Sequence, residues 1–503
     1  MRNNLKTFLG IAGGAMIFSG CTKDYLEQGP TGNVIQSIQL SEAIELNPKL
    51  GEGTVTGIYA TMFTPGTGGT SSQDDLGQKG FDIYSDFMSS DLAMVTSTYG
   101  WYRANIHELQ AATDFSRQEN YRVWRYYYRV ANLANLVIES LGGNDAIPAT
   151  AANKYRIGQA FAMRAYAYFY LTQFMINDVE ASWTRPTLPI YTEPGFVGAP
   201  KSTTQEVFVL MEDDLNKAIR FLDGFSRTAK TQVDKAVAQT LLAYVLGARR
   251  DRWADVAKAA AAALANTSAR PMTTDNTING IRGGFNNVNS QGWMWGVDIN
   301  ADIGLGLVSW WGQMDAFSYS YAAVGDNKGM DSGLFNSMRP DDIRRQQFFA
   351  SNPASVRYLQ PLFKFFDADR VIFGTSQIVK ADYIYMRYEE PLLLNIEGLA
   401  KSGQEGLART ALFNFVATRV ADASYINALS GNALLNEIYK QTRLEFFAEG
   451  KSYLAMKRNK ATVTRGANHL SFAGQSFAFD DERMTFEIPE QEIQDNLFIN
   501  DQN

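Results

Sequence analysis

Two groups of aromatic residues in polar, glycine-containing stretches are the side chains best placed to do chemistry. Trp101 and Tyr102 follow Gly100. Trp310 and Trp311 lie between Ser309 and Gly312, with Tyr319 and Tyr321 a few residues on. These stretches lack helical spacing. A flat indole or phenol covers the C–H face of a sugar while nearby Asn, Asp and Arg bond its hydroxyls. The same arrangement suits a peptide, whose side chains pack on the rings and whose backbone takes the polar groups. With 31 Phe, 24 Tyr and 8 Trp, many rings must be core, but those in loop-rich stretches call for another role.

Catalytic sets are sparse. His107 and His469 are the only histidines, far apart in sequence, and are read as surface or satisfied core residues. A Ser-His-Asp set stays open, but no Gly-x-Ser-x-Gly elbow and no His-Glu-x-x-His zinc motif occurs. The acidic pairs Asp74-Asp75, Asp213-Asp214 and Asp341-Asp342 have the residue type that glycoside hydrolysis needs. Adjacency in sequence does not set the required separation, so they read as helix starts and solvated faces. Asp298, Asn300 and Asp302 have the one-three-five spacing of a calcium loop. Ile303 stands where such a loop needs Gly, and Ser309 where it needs Glu. No metal and no cofactor is expected.

Cys21 is the only thiol. Arg2 and Lys6, a short apolar run from Leu9 to Phe18, and Phe18-Ser19-Gly20-Cys21 read as a secretory leader closed by a lipobox, with Phe18 where Leu is usual. The reading is a signal peptide over 1–20, an acylated Cys21 and a polar tether over 21–40, with the rest, 41–503, long enough for a large core and more than one domain. No other apolar run is long enough to cross a membrane. Losing Arg2 and Lys6 takes the formal net charge from −7 to −9, which argues against nucleic acid. With Cys21 acylated there is no disulfide, so packing alone holds the fold.

Helices must position these groups. Helical spacing fills two blocks, about 117–265 and 388–450. In the first, Tyr121, Trp124, Tyr128, Ala131, Leu133 and Leu136 recur, then Ala160, Met163, Ala167, Phe169, Leu171 and Phe174. Further helices are predicted at Glu206–Leu222, Asp234–Gly247 and Arg252–Leu264. Pro391 fits a first helical turn. Paired helices with small residues at their crossings, clearest at Ala243, Gly247, Trp253, Ala257 and Ala261, suggest tetratricopeptide-like pairs. Between the blocks, 270–385 is irregular and loop-rich, with Trp293 and Trp295 alternating as on a short strand. The fold class is mainly α, a scaffold of helical pairs with a loop-rich region packed on it. Residues 388–450 are expected to return beside the first block.

Five segments in order resemble the SusD/RagB family, the surface substrate-binding lipoproteins of Bacteroidetes nutrient uptake. They are Cys21-Thr22-Lys23-Asp24-Tyr25-Leu26-Glu27; Ala162-Met163-Arg164-Ala165-Tyr166-Ala167-Tyr168-Phe169-Tyr170-Leu171; Tyr385-Met386-Arg387-Tyr388-Glu389-Glu390-Pro391-Leu392-Leu393-Leu394; Arg443-Leu444-Glu445-Phe446-Phe447-Ala448-Glu449-Gly450; and Phe486-Glu487-Ile488-Pro489-Glu490-Gln491-Glu492-Ile493-Gln494-Asp495-Asn496. The chain departs from the family at Asn177-Asp178-Val179-Glu180, at Thr442 and at Tyr453-Leu454-Ala455. The resemblance implies a single domain over 41–503 in a lipid-anchored outer-membrane protein, displayed at the cell surface. It implies a non-enzymatic protein that captures oligosaccharides and passes them to a SusC-type TonB-dependent transporter. A peptide-binding member differs only in its pocket. A surface glycosidase or a structural lipoprotein is the reading from another class. Ligand contact is expected from Trp101, Tyr102, Trp310, Trp311, Tyr319 and Tyr321, because family members use rings from the early loop region and the middle insertion.

Overall fold

The computed structural model describes residues 49–195, 197–272, 283–366 and 371–502. Cys21, the leader and the tether lie outside these residues. Eleven longer helices are named here in chain order. They are α1 (Lys49–Phe63), α2 (Gln78–Met88), α3 (Gln118–Ser140), α4 (Ala151–Met175), α5 (Thr204–Phe221), α6 (Lys235–Arg249), α7 (Trp253–Asn266), α8 (Glu389–Lys401), α9 (Glu405–Val416), α10 (Gly431–Glu445) and α11 (Ser452–Arg458). Helices α3 to α7 pack each on the next, α8 packs on α7, and α9 on α8. The second block thus packs on the end of the first. Pro391 sits in the first turn of α8, where a missing N–H costs no helical bond.

The α7–α8 crossing depends on small residues. A Cβ on Gly398 would lie 2.6 Å from the Ala257 backbone nitrogen. No larger side chain fits there without separating the helices. Ala259, Ala260 and Ala263 are buried on α7, so the alanine run is a packed face.

Four two-stranded antiparallel ladders pin the loops. They are β1 (Leu92–Met94) with β5 (Lys328–Met330), β2 (Pro186–Pro189) with β3 (Lys201–Thr203), β4 (Trp293–Val297) with β6 (Tyr383–Arg387), and β7 (Thr462–Thr464) with β8 (Ser476–Ala478). Trp293 and Trp295 do lie on a short strand. Register shifts on either side of Trp295 break the alternation, and all five residues of β4 are buried.

Helix α4 is enclosed on all sides, buried without interruption from Arg156 to Met175. Its buried cation is paired. Arg164 donates Nε and Nη2 to the Asp214 carboxylate at 2.8 and 2.7 Å, and Nη1 to Asn135 and Asn144 at 3.0 and 2.8 Å. One side chain thereby ties α3, α4 and α5.

A larger network joins β6, α8, α10 and the loop-rich region. Glu445 accepts from Arg344, Arg387 and Arg419 at 2.8–3.1 Å. Arg387 also reaches Glu389 at 2.8 Å and Glu449 at 2.8 Å, Lys364 reaches Glu449 at 2.9 Å, and Arg344 reaches Asp342 at 2.7 Å. These eight side chains are all nearly inaccessible to water. Asp214 and Asp342 are therefore interior partners of arginines, which corrects their reading as helix starts and solvated faces. Asp213 and Asp341 remain at the surface with Lys217 and Arg339.

Candidate functional site

The site begins in the segment after β1. Gly100 adopts φ +84° and Tyr102 φ +65°, and the chain then makes a π-helical turn over Arg103–His107. The positive φ at Tyr102 turns its ring inward. It is buried, edge-on to Tyr84 at 5.8 Å, and its hydroxyl donates to the Asp74 carbonyl at 3.1 Å. Trp101, one residue earlier, stays half-buried at the rim of a cavity of about 600 Å³.

The middle insertion meets this segment. Asp326 accepts from the backbone N–H groups of Thr98 and Tyr99 at 2.7 and 2.9 Å, and β1 pairs with β5 just beyond. Tyr321 therefore stands edge-on to Trp101 at 5.9 Å and to Tyr99 at 5.2 Å. The Tyr321 hydroxyl donates to Gln73. Tyr99 and Tyr319 are 54% and 44% exposed, so the cluster presents ring surface to solvent. The structure thus joins Trp101 to Tyr321 and, through it, to Tyr99, while Tyr319 lies two residues before Tyr321.

Trp310 and Trp311 belong elsewhere, which corrects their expected placement at a surface. They open a short helix capped by Ser309, whose hydroxyl accepts from the Gly312 N–H at 3.1 Å. Trp311 is wholly buried and Trp310 nearly so. Trp310 packs edge-on to Trp311 and to Phe365, both at 5.0 Å, with the Lys79 ammonium 4.7 Å from its ring. Indoles are the largest apolar side chains, and a glycine-rich sequence context does not stop them filling a core. Tyr102 is core for the same reason. Tyr99 was missed in the sequence, although it sits two residues before Trp101 in the same turn.

The cavity beside Trp101 is polar and balanced in charge. Each cation in its lining holds a carboxylate: Arg103 with Glu108 at 2.9 Å, Arg117 with Asp114 at 2.9 Å, and Arg122 with Asp74 at 2.7 Å. Burial weighs against the Arg122 charge, but Tyr84, Asp74 and Glu119 around it raise its pKa above the ordinary value. Four lining atoms are buried without a hydrogen-bond partner: Trp101 Nε1, Asn105 Oδ1, Glu119 Oε2 and Arg122 Nε. Two acceptors and two donors are thus left for a ligand or ordered water.

The two histidines come together, which sequence spacing could not reveal. His107 Nε2 lies 3.3 Å from His469 Nδ1, the rings are parallel, and His469 Nε2 lies 3.2 Å from Asp331. Burial pushes the His107 pKa down to about 2, helped by the charge of Arg465. Burial likewise lowers His469. Both stay neutral at physiological pH, and neither lines the cavity. In the calcium-like loop, Asn300 spends its side-chain oxygen on the N–H groups of Asp302 and Ile303. Asp75 is engaged by Gly68 and Thr70.

Residues 61–246 match the model of a SusD-like family described as starch-binding and associating with the outer membrane. No curated protein matches the chain. Among solved structures, a SusD-like carbohydrate-binding protein from Bacteroides vulgatus is 22% identical with TM-score 0.72, over 90% of this chain and 96% of its own. A SusD superfamily protein from Bacteroides thetaiotaomicron is 19% identical with TM-score 0.72, over 90% and 98%. Surface glycan-binding protein A from Bacteroides thetaiotaomicron, in complex with laminarihexaose, is 16% identical with TM-score 0.66, over 90% and 99%.

Proposed function

We propose that this chain is a SusD-like outer-membrane carbohydrate-binding protein that captures oligosaccharides and hands them to a SusC-type TonB-dependent transporter, a reading supported by the SusD-like family model over residues 61–246. The observation that carries the reading is the cavity beside Trp101. The half-buried Trp101 indole in its lining, with unpartnered amide, carboxylate and guanidinium atoms, suits a ring with an apolar face and a hydroxyl edge. Three lining cations stand against three lining carboxylates, Asp74, Asp114 and Glu119, and this balance favours a neutral oligosaccharide because it concentrates neither sign of charge. The ion pairs also favour binding over hydrolysis: Asp74 and Asp114 are each bound to an arginine.

Trp101→Ala tests this directly. Affinity for neutral oligosaccharides, laminarihexaose among them, should fall by about 1–2 kcal/mol, roughly tenfold. The melting temperature should fall less than on removal of a fully buried indole, since Trp101 is only half-buried. Calorimetry against neutral glycans and against a peptide library decides the ligand class. Unchanged glycan affinity in Trp101→Ala removes this site, peptide binding alone replaces the ligand class, and product formation from any glycan overturns the binding-only reading.

Anchoring through Cys21 belongs to the same proposal. Cys21→Ala should move the protein from membranes to the soluble fraction once separated from any transporter, because stable anchoring by acyl chains needs two or more. Lys23-Asp24 and Glu27 after the cysteine resemble a surface-export signal. Protease shaving of intact cells should therefore digest the protein, and full protection would place it on the periplasmic face.

A further inference from the structure

A second cavity, of about 670 Å³, shares no lining residue with the first. Asn432, Asn436, Tyr439, Lys440 and Arg443, three to four residues apart on one face of α10, line it. So do Asn459, Lys460 and the strand β7. It runs on into a neighbouring cavity of about 510 Å³ through the shared residues Lys401, Leu435, Asn459 and Lys460, and there meets Trp253. The result is an elongated groove.

Its charge is opposite to that of the chain. Lys401, Lys440, Lys460, Arg250, Arg443 and Arg458 line it against only Asp331 and Glu180, in a protein of formal net charge −7. The carboxylates that hold these cations lie mostly outside the lining. Asp91 holds Arg443, Glu397 holds Arg458 and Lys401, Asp178 holds Arg250, and Glu437 holds Lys440. Lys460 pairs with the exposed Glu180, a contact that water screens. A concave surface rimmed by one sign of charge concentrates the opposite sign. The Tyr439 hydroxyl, on the same face as Asn436 and Lys440, is buried without a hydrogen-bond partner.

We propose that this groove is a second binding site, for an oligosaccharide bearing carboxylate groups such as a uronate oligomer. The ammonium and guanidinium groups take the carboxylates, and the three asparagines and the Tyr439 phenol take hydroxyls. No large exposed apolar side chain lines the groove to seat peptide side chains. This site differs from the neutral one in position and in the ligand it selects.

The test is calorimetry of the protein with hexagalacturonate, with laminarihexaose and anionic phospholipid vesicles as separate arms. Hexagalacturonate should bind, more weakly as salt rises. Binding should fall at least tenfold in Lys440→Glu/Lys460→Glu, both partly exposed. It should fall likewise in Asn436→Trp, which fills the groove from an exposed position. Trp101→Ala should leave it unchanged. No binding of hexagalacturonate, binding that survives both groove variants, binding lost in Trp101→Ala, or a response to vesicles alone would each overturn the proposal. Laminarihexaose binding at Trp101 is untouched by these outcomes, so failure here is separable from failure of the first site.

Discussion

Glu445→Gln should destabilise the fold by about 3–5 kcal/mol, the range seen when one partner of a buried ion pair is removed. Four cations, Arg344, Arg387, Arg419 and Lys364, meet four carboxylates, Asp342, Glu389, Glu445 and Glu449. Glu445 is their hub, with three arginines on one carboxylate. The amide keeps the shape and drops one charge, leaving four cations on three anions where water does not reach. Urea unfolding measures the loss as a lower midpoint at unchanged m-value. The double variant Glu445→Gln/Arg419→Met restores the count and should recover part of it. A loss below about 1 kcal/mol, the range of exposed pairs, would mean that solvent enters the network.

The same carboxyl sets an acid limb. Burial alone would raise the Glu445 pKa, but Arg419, Arg387 and Arg344 outweigh it and hold it well below the ordinary value. A depressed native pKa stabilises above the unfolded value, about 4.3 for Glu. That contribution disappears as pH falls through the native value. Glu449 is lowered in the same way by Arg387 and Lys364 against burial. Stability should therefore drop steeply below about pH 4.3, less steeply in Glu445→Gln.

The helices were legible because their spacing is regular, and the family motifs because they are buried networks. Arg164, Arg387, Glu445 and Glu449, which carry the resemblance, pair inside the protein. The departures keep the packing: Tyr453, where Trp-Asp-Leu is usual, is buried and donates to the Gln173 carbonyl at 3.0 Å. The choice of face was less legible. Of the six residues the spacing picked on α3, Trp124 and Ala131 are buried, but Tyr121, Tyr128, Leu133 and Leu136 are only half-buried, while Val123, Tyr127, Val130 and Ala134 are fully inside. A helix packed on more than one side buries a wide arc, and a single apolar stripe under-describes it. The histidine pair was invisible because its members stand 362 residues apart, and most acid–arginine partners because they stand 26 to 101 apart, too far for local spacing to mark them.

The loop-region rings show that limit most sharply, and Trp311→Ala measures it. Trp311 is wholly buried, edge-on to Trp310 at 5.0 Å. The next residue has no room for growth: a Cβ on Gly312 would fall 1.9 Å from the Leu307 carbonyl oxygen. Removing an indole from so tight a setting leaves a cavity that its neighbours cannot fill. The expected cost is about 3–5 kcal/mol, seen as a lower urea midpoint and melting temperature. Affinity of the folded fraction for a neutral glycan should stay unchanged, because Trp311 offers no face to solvent. Trp101→Ala should do the reverse, weakening binding with less loss of stability. The two side chains share a residue type and a polar, glycine-containing sequence setting. What separates them is the backbone around each: Tyr102 turns inward at positive φ while Trp101 stays at the rim, and the Ser309-capped turn drives Trp311 into the core. Weakened binding at full stability in Trp311→Ala would mean that the loop-rich region opens to expose this ring.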